Sequence, residues 1–185
     1  MFTSDRRARR IALLVIVLPL ALSACQAEPP HSRLGLGTPV SEADVAAWNI
    51  DVSPSGGLPP GHGLVAAGRE LFETNCAPCH GLKGEGLPPF PRLTGGHGSL
   101  ATAKPVLTIG SFWPYAETVF DYIRRAMPFV DPQSLDNDQV YALTAYLLYL
   151  NGIVPESTDL DAARLAAVRM PNRDGFILDN RPDTR

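Results

Sequence analysis

Cys76-Ala77-Pro78-Cys79-His80 places two thiols and an imidazole within one short run. A C-x-x-C-H run has the spacing of a c-type haem attachment site. Two thiols three positions apart reach the two vinyl groups of one haem and form thioethers. The His that follows offers a ring nitrogen to the iron. Zinc would need two more ligands at paired spacing, and the chain has only three cysteines. A thioredoxin-like dithiol sits in a βαβ context and has no need of the His; no such context is readable here.

The elements around this run follow from apolar spacing. From Gly61 onward Leu64, Ala67, Leu71 and Phe72 recur at three- and four-residue intervals, which predicts a helix running into the cysteines. Gly81 to Pro91 is too rich in Gly and Pro for regular structure. Its glycines permit positive φ and close approach to a flat cofactor, and its prolines fix the path. Thr118 to Ala126 reads as a second helix, with Val119, Tyr122 and Ile123 on one face. A third begins at Ser134 or Asp136 and runs to Leu150, stopped by Asn151-Gly152. Its apolar positions are Val140, Leu143, Tyr146, Leu147 and Leu150. With no strand pattern, the expected class is all-α.

The start of the chain reads as an export signal. Arg6, Arg7, Arg9 and Arg10 precede an apolar stretch from Ile11 to Leu22, which suits a signal h-region and is short for a membrane span. Leu22-Ser23-Ala24-Cys25 resembles a bacterial lipobox, in which the Cys becomes the lipidated first residue. The alternative is ordinary cleavage with Cys25 left as a free thiol, a liability in an oxidising compartment. One cysteine for lipid and two for haem leave none for a disulfide. The expected location is the periplasmic side of a bacterial membrane, lipid-anchored, or else soluble periplasm.

Residues 1–24 hold four arginines and one aspartate, so the remainder carries 12 Lys+Arg against 18 Asp+Glu. That acidic balance argues against nucleic acid or anionic lipid as a partner through bulk charge, and permits a basic docking partner. The expected organisation is a signal peptide over 1–24, a Pro/Gly-rich tether over 25–60, a folded domain over 61–152 and an extension over 153–185. Within the tether a short helix is expected from Ser41 to Trp48, with Ser41 as N-cap, and Trp48 either pins the segment to the domain or meets a partner.

The order of elements over residues 61–152 resembles the class I cytochromes c: a helix with Gly68-Arg69-Glu70-Leu71-Phe72, the haem run, a Gly/Pro loop, Met127-Pro128, then a helix with an aromatic. The resemblance implies a fold in which the first and last helices cross, Gly68 against Tyr146, with the haem in a loop-lined pocket. It implies a proline carbonyl as acceptor for the other nitrogen of the proximal ligand His80, with Pro91 the best match and Pro88 or Pro89 as alternatives. It also implies Met127 as sixth ligand, ahead of Met170, His97, His62 and His31. Arg124 or Arg125 could pair with a haem propionate, or simply face solvent. Trp113 and Tyr115 could cover the propionates, or belong to the core.

A narrower resemblance spans residues 105–180, through Gly110-Ser111-Phe112-Trp113-Pro114-Tyr115, Asp121 to Pro128, Val140 to Asn151 and Met170-Pro171-Asn172-Arg173. These look like the cytochrome subunits of bacterial sulfite and sulfur dehydrogenases. The implied function is transfer of single electrons by one covalently bound haem c. The implied donor is a molybdenum sulfite dehydrogenase subunit or similar, and the acceptor a downstream c-type cytochrome or oxidase. The alternatives are a carrier for a different periplasmic dehydrogenase, a peroxidase-like haem enzyme with a labile sixth position, and a structural lipoprotein with a vestigial haem. On this reading the chain is an electron-transfer subunit rather than an enzyme by itself.

Overall fold

The last long helix is wrapped on every side. In a computed structural model that describes residues 36–177, 179 and 181, the chain divides into two units, Met1–Glu42 and Ala43–Arg185. The expectations for the export signal, Cys25 and His31 lie outside the described residues. In the first unit residues 36–41 form neither helix nor strand. The second contains, from Ala43 onward, α1 (Glu42–Trp48), β1 (His62–Leu64), α2 (Val65–Asn75), α3 (Ala77–His80), a 3-10 turn (Ser99–Ala101), α4 (Ala116–Ala126), α5 (Asn137–Leu150), β2 (Asp159–Asp161) and α6 (Ala162–Ala166).

Helix α5 starts on a capping box. The Asp136 carboxylate accepts from the Gln139 backbone N–H, and the Gln139 side chain returns a bond to the Asp136 N–H. Every residue from Val140 through Leu148 is buried. The sequence marked only Val140, Leu143, Tyr146, Leu147 and Leu150 as apolar positions of this helix. Its surroundings are complete because β1 and β2 pack on it as well as α2 and α4. Helix α2 crosses it where Gly68 admits close backbone approach, and Phe72 meets Tyr146 with ring centroids 5.3 Å apart.

The fold is the expected helical one with a small addition. Residues 62–64, expected to begin the first helix, instead form a strand paired antiparallel with β2, in register His62↔Asp161, Gly63↔Leu160 and Leu64↔Asp159. Gly63 explains the departure, since a Cβ there would stand 2.1 Å from the backbone nitrogen of Ala142. The chain must pass flat against α5 at that point, and a strand does so. Leu64 is about half exposed and not a core position.

The extension beyond residue 152 is integral to this unit. Leu160, Leu165 and Met170 are fully buried, and the Val65 N–H donates to the Thr158 carbonyl. The end of the expected tether is also bound. Val52 is buried, Tyr141 donates its hydroxyl to the Pro59 carbonyl at 2.8 Å, and Asn137 donates to the Pro60 carbonyl. The folded unit therefore begins well before Gly61.

Candidate haem site

The two cysteines fall on one short turn of helix. Cys76 ends α2, its N–H donating to the Phe72 carbonyl, and Pro78 occupies the first turn of α3, where a missing N–H costs nothing. The N–H groups of Cys79 and His80 both donate to the Cys76 carbonyl, so the thiols and the imidazole share one local frame. Both thiols are free and half-buried. Burial, with a smaller contribution from Cys79, pushes the Cys76 thiol up to about 11.

The imidazole of His80 is oriented by the loop that follows. Its Nδ1–H donates to the Pro91 carbonyl at 2.8 Å, which leaves Nε2 as the nitrogen available to a metal. The loop is tied in layers. Gly86 N–H donates to the His80 carbonyl at 2.7 Å and Leu87 N–H to that of Cys79, while Leu93 N–H donates to the Gly84 carbonyl at 2.7 Å. Glu85 accepts the Lys83 N–H at 2.7 Å, and bonds from its own and the Lys83 backbone hold its carboxyl below the usual range. Gly86 requires positive φ, and a Cβ there would meet the backbone of Pro91 and Arg92. Phe90 approaches the His80 ring edge-on at 6.4 Å between centroids.

Asn151 joins this loop to the core. It is buried after the last turn of α5 and donates from Nδ2 to the Leu93 carbonyl at 3.2 Å and to that of Leu147. The sequence marked it only as a helix stop. Its position at the start of a Gly turn gave no sign that its side chain also holds the loop.

Met127 caps the C-terminal end of α4, its N–H donating to the Ile123 carbonyl, and its half-buried side chain packs at the edge of the core. Met170, in contrast, is closed into the core with 1% exposure. His97 and His62 are exposed, and His62 is bonded to Asp159. Of the candidate thioethers and imidazoles among the described residues, Met127 alone combines partial burial with a place at a helix end.

The arginines before it have other partners. Arg124 donates to the Ile50 carbonyl at 2.9 Å, and Arg125 pairs with Asp51 and Asp121, each at 2.9 Å. Asp121 also accepts the Val52 N–H. Together these bonds give the two arginines and Asp121 a grip on residues 50–52. Trp113 is half-buried against Tyr122 at 5.8 Å, and Tyr115 lies beneath the Arg173 guanidinium, 4.0 Å from ring centroid to Cζ. Trp48 is 85% exposed, so α1 is not pinned to the unit through its aromatic. It instead forms one wall of a cavity of about 430 Å³ with Ile50, Tyr122, Arg125 and Gln133.

These donors fit a c-type haem. Two free thiols at vinyl spacing, an imidazole with Nδ1 already committed, and a thioether at a helix end are what one such group requires. Among the described residues no three His, Cys, Asp or Glu side chains come together as a metal-binding group.

The cytochrome c family model matches residues 65–151, the stretch that carries all of these groups. The solved sulfane dehydrogenase SoxCD from Paracoccus pantotrophus contains a similar chain, 48% identical, with a TM-score of 0.74 over 82% of this chain and 75% of that one. The chain belongs to the cytochrome c family. No curated protein matches it. Family membership implies covalently bound haem c and a role in electron transfer, and the fold of the cytochrome agrees with the crossed-helix arrangement.

Proposed function

We propose that the cytochrome carries one haem c on Cys76 and Cys79, ligated by His80 and Met127, and relays single electrons from the catalytic subunit of a sulfur-compound dehydrogenase to a further cytochrome or oxidase. The observation that carries the reading is the bond from His80 Nδ1 to the Pro91 carbonyl, which fixes the tautomer with Nε2 free beside two unpaired thiols. Its direction, toward sulfur chemistry, is supported by the likeness to SoxCD. Lipid attachment at Cys25 on the periplasmic side of a bacterial membrane belongs to the same proposal, supported by the basic and apolar run before a lipobox-like tetrapeptide.

Haem c supplies a one-electron iron couple when bound. The protein supplies rigidity around it. The Pro91 carbonyl makes the imidazole a stronger donor and holds its plane. The layered loop from Gly81 to Leu93 and the end of α5 keep that carbonyl in place. A fixed N and S ligand pair limits rearrangement between oxidation states and favours electron transfer over substrate activation.

The test is the visible and near-infrared spectrum of the oxidised holoprotein, wild type beside Met127→Ala. A weak sulfur-to-iron charge-transfer band that disappears in the variant is expected. A band that survives would move ligation to another methionine. No band in wild type would return the enzyme and bis-His readings.

A further inference from the structure

We propose that Asn172 and Arg173 are positioning residues for the redox site, clamping the loop 112–115 and thereby fixing the helix that ends at Met127. The inference rests on the reading of Met127 as sixth ligand. The extension is anchored by Met170, fully buried, and then turns sharply. Arg173 N–H donates to the Met170 carbonyl and Gly175 N–H to that of Asn172. From this turn Asn172 donates through Nδ2 to the Phe112 carbonyl at 2.7 Å. Arg173 lies over the Tyr115 ring at 4.0 Å, and Phe176 meets Phe112 edge-on at 5.3 Å. Both ends of the loop 112–115 are therefore held by one short turn. A Cβ at Gly175 would stand 1.9 Å from Asn172 Oδ1 and so displace the Asn172 amide.

The loop leads directly into α4. Tyr115 is the N-cap residue of α4 and Met127 its C-cap residue, with Trp113 packed on Tyr122 in between. An α-helix of this length is stiff, so displacement of its start is transmitted to its end. Among the described residues Arg173 makes no ion pair, whereas Arg169, four positions earlier, is bonded to Asp174. A planar cation held against an aromatic by stacking is suited to holding that ring in place.

The experiment uses full-length oxidised holoprotein. The pH midpoint at which the sulfur-to-iron band is lost is measured for wild type, Arg173→Ala, Arg173→Lys, Asn172→Ala and a control, Arg169→Ala. Far-UV circular dichroism and thermal unfolding are recorded alongside. Weakening the clamp is expected to make displacement of the sulfur about tenfold more favourable in Arg173→Ala and Asn172→Ala, a midpoint about one unit lower. Arg173→Lys, which keeps the charge and loses the planar stack, is expected to fall between. Arg169→Ala is expected to match wild type. Arg173 is exposed, so its variants fold whatever Asn172→Ala does. A wild-type band whose midpoint is the same in both Arg173 variants overturns the clamp alone. Equal shifts in Arg169→Ala overturn it too, since they would report surface charge. No wild-type band overturns the Met127 reading, and the clamp with it.

Discussion

The Gly68 Cα faces the Ala142 carbonyl so closely that a Cβ built on it would stand 1.9 Å from that oxygen. The neighbour is backbone inside a buried helix and cannot swing away. Gly63 lies as close to the Ala142 nitrogen, so two glycines from consecutive elements meet one residue of α5.

Gly68→Ala should therefore be strongly destabilising, although Ala is the better helix former by about 0.5–1 kcal/mol. Overpacking against fixed backbone is expected to cost about 3 kcal/mol, a fall in Tm of roughly 10 °C. Thermal unfolding of the holoprotein checks this. A rise in Tm would mean that the crossing is looser than the geometry indicates.

The grip on residues 50–52 should be mainly apolar. Val52 is 4% exposed, and removing its two methyl groups in Val52→Ala is expected to cost about 1.5 kcal/mol. Arg125 is 48% exposed in its pair with Asp51, so Arg125→Ala is expected to cost under about 1 kcal/mol. Denaturant unfolding of the two variants ranks them, and the reverse order would make the ion pairs the principal fastening.

Gly86→Ala should act on the iron through the Pro91 carbonyl. The φ of +82° is strained for Ala, and the new Cβ would lie 2.7 Å from the Arg92 nitrogen and 3.0 Å from the Pro91 carbonyl carbon. Pushing that peptide away weakens the bond that makes the imidazole electron-rich, so the ferric state loses support. The midpoint potential is expected to rise. Redox titration gives the sign directly, and an unchanged potential would detach the acceptor from Gly86.

His62 should make stability pH-dependent. The bond to Asp159, followed by the attraction of its charge, raises the imidazole above the ordinary 6.5. A raised folded-state value means that the contribution is fully present below 6.5 and is lost as pH rises through the folded value. His62→Asn is therefore expected to be less stable than wild type in mild acid and equal to it in mild alkali. Paired melts across that range test this, and a constant gap would assign the effect to packing of β1 instead.

The sequence exposed what depends on spacing along one segment. The C-x-x-C-H run, the capping residue Asp136 and the stop at Asn151-Gly152 are local patterns, and the helices they delimit appear where spacing placed them. Gly68 against Tyr146 was legible only through the family resemblance, because a crossing has no local signature. What stayed hidden was long-range. Nothing in His62-Gly63-Leu64 announces a partner at Asp159 to Asp161, and three residues are too few for an alternating pattern to register. The partners of Arg124 and Arg125 lie in residues 50–52, and a Pro/Ser/Gly-rich stretch gives no reason to expect buried Val52 beside it. Asn172 and Arg173 were visible as part of a motif, but their contacts with Phe112 and Tyr115 required the fold.

The fastening of residues 50–52 has a mechanical side. Tension on the chain ahead of Ile50 arrives first at Asp121, Arg124 and Arg125, which belong to the helix that ends at Met127. A cytochrome leashed at its beginning would carry load along the same rod that presents its sulfur. Pulling on the leash, by surface attachment or by a docked partner, then becomes a way to tune the electron carrier from outside.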